Sequence, residues 1–132
     1  MNILMVSAEM APFAKVGGLA DVTASLAQAV AGRGHDVRVV LPLHGHLDRR
    51  QESVRVLKKL PPLALRVGQQ MHDVRVHLRG SGREAVKVYL VECEALYGSG
   101  GIYPAEQDGT EATGLARASL HAQAALLLPR LL

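Results

Sequence analysis

A lysine two residues ahead of a glycine pair, in Lys15-Val16-Gly17-Gly18-Leu19, is the arrangement in this sequence best suited to chemistry. Glycine has no Cβ to keep an anion away from the backbone N–H groups, and it permits positive φ if the turn needs it. Lys15 adds a mobile positive charge, which matters most where a leaving group gains negative charge in the transition state. A helix that starts here leaves its first N–H groups unpaired and turns the positive end of its dipole toward the same anion. The corner therefore suits a phosphate or diphosphate. Its spacing matches neither a G-x-G-x-x-G dinucleotide fingerprint nor a Walker A motif, whose lysine follows the second glycine. On pattern alone, a plain strand-to-helix turn explains Lys-x-Gly-Gly about as well.

Two acids flank the turn. Asp21 falls in the first helical turn, where the dipole favours a carboxylate whether or not it also meets a substrate hydroxyl. Glu9, in the loop before the turn, can bind a sugar hydroxyl or cap a neighbouring N–H, and capping is the commoner use. His44 and His46 lack a nearby third ligand, so a solvated loop is expected rather than a metal site. His35, in Gly34-His35-Asp36, reads as a structural turn residue. Cys93 is the one cysteine and is expected to be a buried, inert thiol. The absence of a G-x-S-x-G elbow argues against a hydrolase of that design.

The elements that must position this corner are readable nearby. Ile3-Leu4-Met5-Val6 is a short continuous apolar run, expected for a strand covered on both faces by helices. Leu19, Val22, Thr23, Leu26, Ala27 and Val30 recur at helical spacing and predict one apolar stripe. The helix is expected to end near Gly32 and Gly34, and Asp36-Val37-Arg38-Val39-Val40-Leu41 resumes as a strand. A crossover of this length implies parallel pairing in a doubly wound sheet, whose ligands lie at the carboxyl ends of the strands. Pro42 to His46 is turn-rich. Runs at 63–67, 74–78 and 85–91 predict a β-meander added beside the parallel sheet, with 86–91 the most buried. A Gly- and Pro-containing loop over 97–109 is of the kind that borders a site. A last helix is expected from near Thr110 through Leu115, Ala118, Ala122 and Leu126 until Pro129. The fold class is thus α/β, a Rossmann-like, mostly parallel sheet with an added meander.

Composition narrows the function classes. The 132 residues are enough for one domain, and 48% of them are apolar. Aromatics make up only 3%, with no Trp, so stacking platforms for single-stranded nucleic acid are scarce. The net charge is +3, and the densest basic stretch, Arg49 to Lys59, is interrupted by Glu52, Val54, Val56 and Leu57. It reads as a solvated face, and no nucleic-acid partner is expected. With a single cysteine there is no internal disulfide and no Cys-rich zinc site. The N-terminus lacks a basic signal-peptide region, and its apolar run stops at Glu9. No stretch approaches a membrane span, the nearest being 118–128, so no membrane partner is expected and a reducing cytoplasm is the simplest compartment.

Taken whole, residues 1–22, MNILMVSAEMAPFAKVGGLADV, strongly resemble the amino-terminal signature of bacterial glycogen synthases and plant starch synthases. Gly34 to Pro42 continues the likeness without a gap. Leu96-Tyr97-Gly98, Ile102-Tyr103-Pro104 and Arg117 are similar to the family's next loop and helix. Glu111-Ala112-Thr113-Gly114 departs from the Tyr-x-Asp-Asn that the family places before that arginine. The resemblance implies a GT-B glycosyltransferase with two Rossmann-like domains, transferring glucose from ADP-glucose to an α-1,4-glucan with retention of anomeric configuration. It implies that Lys15, Gly17 and Gly18 face the donor diphosphate, with Asp21 and Glu9 as further cleft residues. No resident cofactor is implied, ADP-glucose being the donor substrate.

Residues 1–132 would then form part of the N-terminal domain. The family's later histidine loop and C-terminal nucleotide-sugar domain are not among them, and no catalytic residue is assigned here. An isolated fragment of this kind is expected to be inactive, since it cannot hold donor and acceptor together. An incomplete parallel sheet also favours self-association. Two other readings remain at this point: a non-catalytic module complementing a separate chain, and part of another GT-B transferase such as one using a UDP-sugar.

Overall fold

The structure, a computed structural model, describes residues 1–103 and 111–132, with the backbone alone at 111 and 112. The expectations for Pro104, for a helix start at Thr110 and for the Glu111 and Ala112 side chains lie outside the described residues. Six strands and three helices follow in the order β1 (Asn2–Val6), α1 (Gly18–Ala31), β2 (Asp36–Pro42), β3 (Val54–Val56), β4 (Leu63–Val67), β5 (Gln70–Arg79), β6 (Val86–Glu92), α2 (Glu94–Tyr97) and α3 (Glu111–Leu131). The sheet order is β1-β2-β6-β5-β3, with β4 also on β5. β1, β2 and β6 pair in parallel, Asn2 opposite Asp36 and Val37 opposite Val86. β5 runs antiparallel to β6, β3 and β4. Five of the six strands therefore point the same way, with β5 alone reversed.

The expected meander exists as β4-β5-β6, but it does not stand beside the parallel sheet. Its last strand is a member of that sheet, seated between β2 and β5. This is why Val86, Val88, Tyr89, Leu90 and Val91 are all buried. β1, by contrast, is the edge strand. Its residues are half-buried or exposed rather than covered on both faces, because among the described residues only β2 pairs with it.

Alternation along the strands divides the core in two. Val37, Val39, Leu41, Val86, Val88 and Leu90 join Ala27 of α1 in one cluster. Val40, Tyr89 and Val91 join Leu120, Ala124 and Leu128 of α3 in the other. α1 and α3 thus cover opposite faces, giving a three-layer α/β/α sandwich.

Each helix seats a different stripe from the one its larger residues suggest. In α1 the buried residues are Ala20, Thr23 and Ala27, while Leu19, Val22 and Leu26 face outward. Small side chains let the helix lie close on the sheet, so the close-packed face is the small one. In α3 the buried residues include Arg117, Leu120, His121, Ala124, Ala125 and Leu128, with Leu115, Ala118, Ala122 and Leu126 exposed. Pro129 lies inside α3, which continues to Leu131. A proline this near the end removes one hydrogen bond without stopping the last turn.

Candidate functional site

Loops from the carboxyl ends of β1, β2 and β6 meet on one rim, as a doubly wound sheet requires of its ligand site. Backbone bonds join them: the Ser7 N–H donates to Val40, the Leu43 N–H to Val91 (2.8 Å) and the Gly45 N–H to Tyr97 (2.9 Å). The loop after β1 reverses tightly at residues 10–14, where Met10 and Ala14 exchange two backbone bonds of 2.8 and 3.0 Å. It then delivers Lys15, Val16 and Gly17 to the start of α1. Gly17 is the N-cap residue, with extended backbone and no side-chain cap.

Neither Gly17 nor Gly18 has positive φ, so the expected conformational reason for glycine does not hold at this turn. Space is the remaining reason, since a Cβ at either position would meet nothing within 4 Å. The turn is therefore open above its backbone. Lys15 Nζ sits 2.9 Å from each carboxylate oxygen of Asp21, with the two side chains 49% and 55% exposed. An exposed pair of this kind contributes little to folding. Its effect is to hold the ammonium group over the first turn of α1.

Glu9 does what the commoner expectation held and caps its neighbours. Its carboxylate, 3% exposed, accepts the Val16 N–H (2.6 Å) and the Gly17 N–H (3.0 Å) at Oε1. Oε2 accepts the Tyr103 hydroxyl at 2.6 Å. That hydroxyl is the main reason the carboxyl titrates below its ordinary range, with the two N–H groups adding to it against the opposing effect of burial. The same bond pushes Tyr103 up to about 12. With the Val16 and Gly17 N–H groups taken by Glu9, the next N–H groups are those of Gly18 and Leu19 in the first turn of α1, where a helix has no internal partners.

Tyr103 is held in turn from α3. Arg117, 9% exposed, donates to the carbonyls of Ser99 (2.6 Å), Gly101 (2.9 Å) and Ile102 (3.5 Å). Gly100 and Gly101 need glycine for their positive φ of 83° and 70°, which turns this loop around the guanidinium group. The Tyr97 hydroxyl donates to the Arg117 carbonyl at 2.6 Å, and burial pushes its pKa up.

Of the two histidines expected in a solvated loop, His46 fits and His44 does not. His44 is buried rather than solvated, because its Nε2–H donates to the Ala8 carbonyl at 3.0 Å and ties the β2 loop under the β1 loop. Burial lowers its pKa, so its neutral form is favoured, and Nδ1 has no partner. His46, stacked on it at 5.8 Å, is exposed. Among the described residues no three His, Cys, Asp or Glu side chains are placed to hold a metal. Cys93 is buried at 2% exposure, as expected. A cavity of about 820 Å³, lined in part by Arg38, Arg55, Lys58 and Lys87, involves the amino-terminal parts of β2 and β6 and not the rim.

Sequence reasoning missed Tyr103 as a partner of Glu9, the Lys15–Asp21 pair and the burial of His44. The first joins residues 94 positions apart, and no local signal reports such a contact. The second joins a loop residue to one in the helix across the corner, and its spacing of six is not that of a helical i,i+3 or i,i+4 pair.

Comparison with known proteins places the chain in a family. The starch synthase catalytic domain family matches residues 2–131. A glycogen synthase of Treponema denticola is 38% identical over 131 residues, covering 98% of this chain and 26% of the relative. Glycogen synthase 1 of Geobacter sulfurreducens is 40% identical over 114 residues, covering 83% and 22%. The catalytic domain of starch synthase IV from Arabidopsis thaliana, solved with ADP and acarbose bound, superposes with a TM-score of 0.75 at 26% identity, covering 96% of this chain and 25% of that one. The chain thus spans about a quarter of the length of these relatives. No helix among the described residues is long and apolar enough to cross a membrane. With the family matched from the first strand to the last helix, the chain belongs to the starch synthase catalytic domain family.

Proposed function

We propose that these residues are the leading part of a glycogen or starch synthase, a retaining transferase that moves glucose from ADP-glucose to the non-reducing end of an α-1,4-glucan. The family match over residues 2–131 carries the reading. The open turn supplies its chemistry. As the bond from glucose C1 to the donor phosphate oxygen breaks, its electron pair passes to the departing ADP. The acceptor hydroxyl forms the new bond to C1 on the same face, and its proton passes to the departing diphosphate oxygen.

The growing charge on the diphosphate is met by the N–H groups of Gly18 and Leu19, the dipole of α1 and Lys15. Gly17 and Gly18 leave room for the phosphate oxygens. Asp21 holds Lys15 until the phosphate takes it over, and Glu9 shapes the turn from below. The donor base and the acid–base chemistry belong to the family's second domain, outside these residues.

Glucosyl transfer assays test this directly. Residues 1–132 alone should show no transfer from ADP-glucose, while the complete enzyme should. In the complete enzyme Lys15→Ala should lower kcat/KM by about 10²-fold, the usual effect of removing one preorganised charge stabiliser. Transfer by the short chain, or an unaffected Lys15→Ala enzyme, would refute the proposal.

A further inference from the structure

We propose that Tyr103 is a positioning residue for the donor turn, acting through Glu9 to fix which backbone N–H groups the diphosphate can reach. The proposal rests on the reading above that this turn receives the donor. Glu9 divides its oxygens, one on the Val16 and Gly17 N–H groups and the other on the Tyr103 hydroxyl. A buried carboxylate stays charged only while such donors face it. With the hydroxyl gone, Oε2 loses its partner among the described residues, and the group rotates or takes up a proton. Either change loosens Val16 and Gly17, the residues that aim the N–H groups of Gly18 and Leu19.

The far end of the strut is rigid. Ile102 is buried in the α1-side core, and Arg117 grips the three carbonyls just before Tyr103. Tyr103 itself is 49% exposed, so its hydroxyl and not its packing is the part that matters. Removing one oxygen therefore separates positioning from folding. The strut also links α3 to the first turn of α1, so the loop at 98–103 and the donor corner set each other's geometry.

The test uses the complete enzyme and two readouts. Hydrogen exchange at Val16 and Gly17 reports the strut whatever the ligand, and the split of KM between donor and glucan reports its role. Tyr103→Phe should speed exchange at these two amides and raise the KM for ADP-glucose by about tenfold, the worth of one hydrogen bond to a charged group. The KM for glucan should stay unchanged, and the melting temperature should fall modestly, since a buried acceptor loses one donor. Glu9→Gln keeps an acceptor for the N–H groups and should have a smaller effect than Glu9→Ala. Unchanged exchange in Tyr103→Phe would overturn the proposal. So would equal rises in both KM values. A wild-type enzyme that ADP-glucose does not saturate would overturn the donor assignment itself, and exchange at Val16 and Gly17 would still decide on the strut.

Discussion

Gly17 and Gly18 hold the clearest residue-scale distinction between fold and function. Glycine at these positions is required neither by φ nor by a neighbouring atom. The folded chain therefore has no use for the missing Cβ atoms, whereas a phosphate lying on the backbone does. Gly17→Ala and Gly18→Ala should leave the unfolding free energy of the complete enzyme within about 0.5 kcal/mol of wild type, as for other surface changes. Titration with ADP should show affinity lowered by at least about tenfold, by the steric block alone. A variant with normal affinity would mean the diphosphate lies elsewhere. That Lys15, Gly17 and Gly18 lie at the start of α1 was legible because the signal lies in adjacent residues. Glu9 was half legible: its capping role follows from a carboxylate before a turn, but its second partner comes from the other end of the chain.

At the scale of elements, strand positions were easier to read than the helix faces. The β-branched runs of β2 and β6 announced buried strands, and the glycine turn announced the crossover. The helix stripes misled because Leu19, Val22 and Leu26 outweigh Ala20 and Ala27 in hydrophobicity, while close approach to a sheet selects for small size. The centre of the sheet was hidden too. β6 continues an antiparallel meander in sequence and completes a parallel sheet in space, which only pairing with β2 reveals.

The loops that follow β2 and β6 meet where Gly45 lies against Gly98, and a Cβ on Gly45 would land on the Gly98 carbonyl. Backbone cannot swing aside as a flexible side chain can. Gly45→Ala should therefore destabilise the fold by about 1–3 kcal/mol, the range for overpacking, measured by denaturant unfolding. An unchanged midpoint would show that the two loops are not packed this way.

Over the whole molecule, one chain of contacts runs from α3 through Arg117, the loop at 99–102, Tyr103 and Glu9 to the turn at Lys15. Long-range order of this kind places a local motif in a working position, and it is the part that adjacent residues cannot announce. The chain spans about a quarter of the length of its relatives. The most direct test is a crystal structure of the complete enzyme with ADP. It should show phosphate oxygens within hydrogen-bond distance of the Gly18 and Leu19 N–H groups and of Lys15 Nζ, with Lys15 drawn from Asp21 and Glu9 still on Val16 and Gly17. A diphosphate bound away from this turn, with Lys15 still paired to Asp21, would contradict the account.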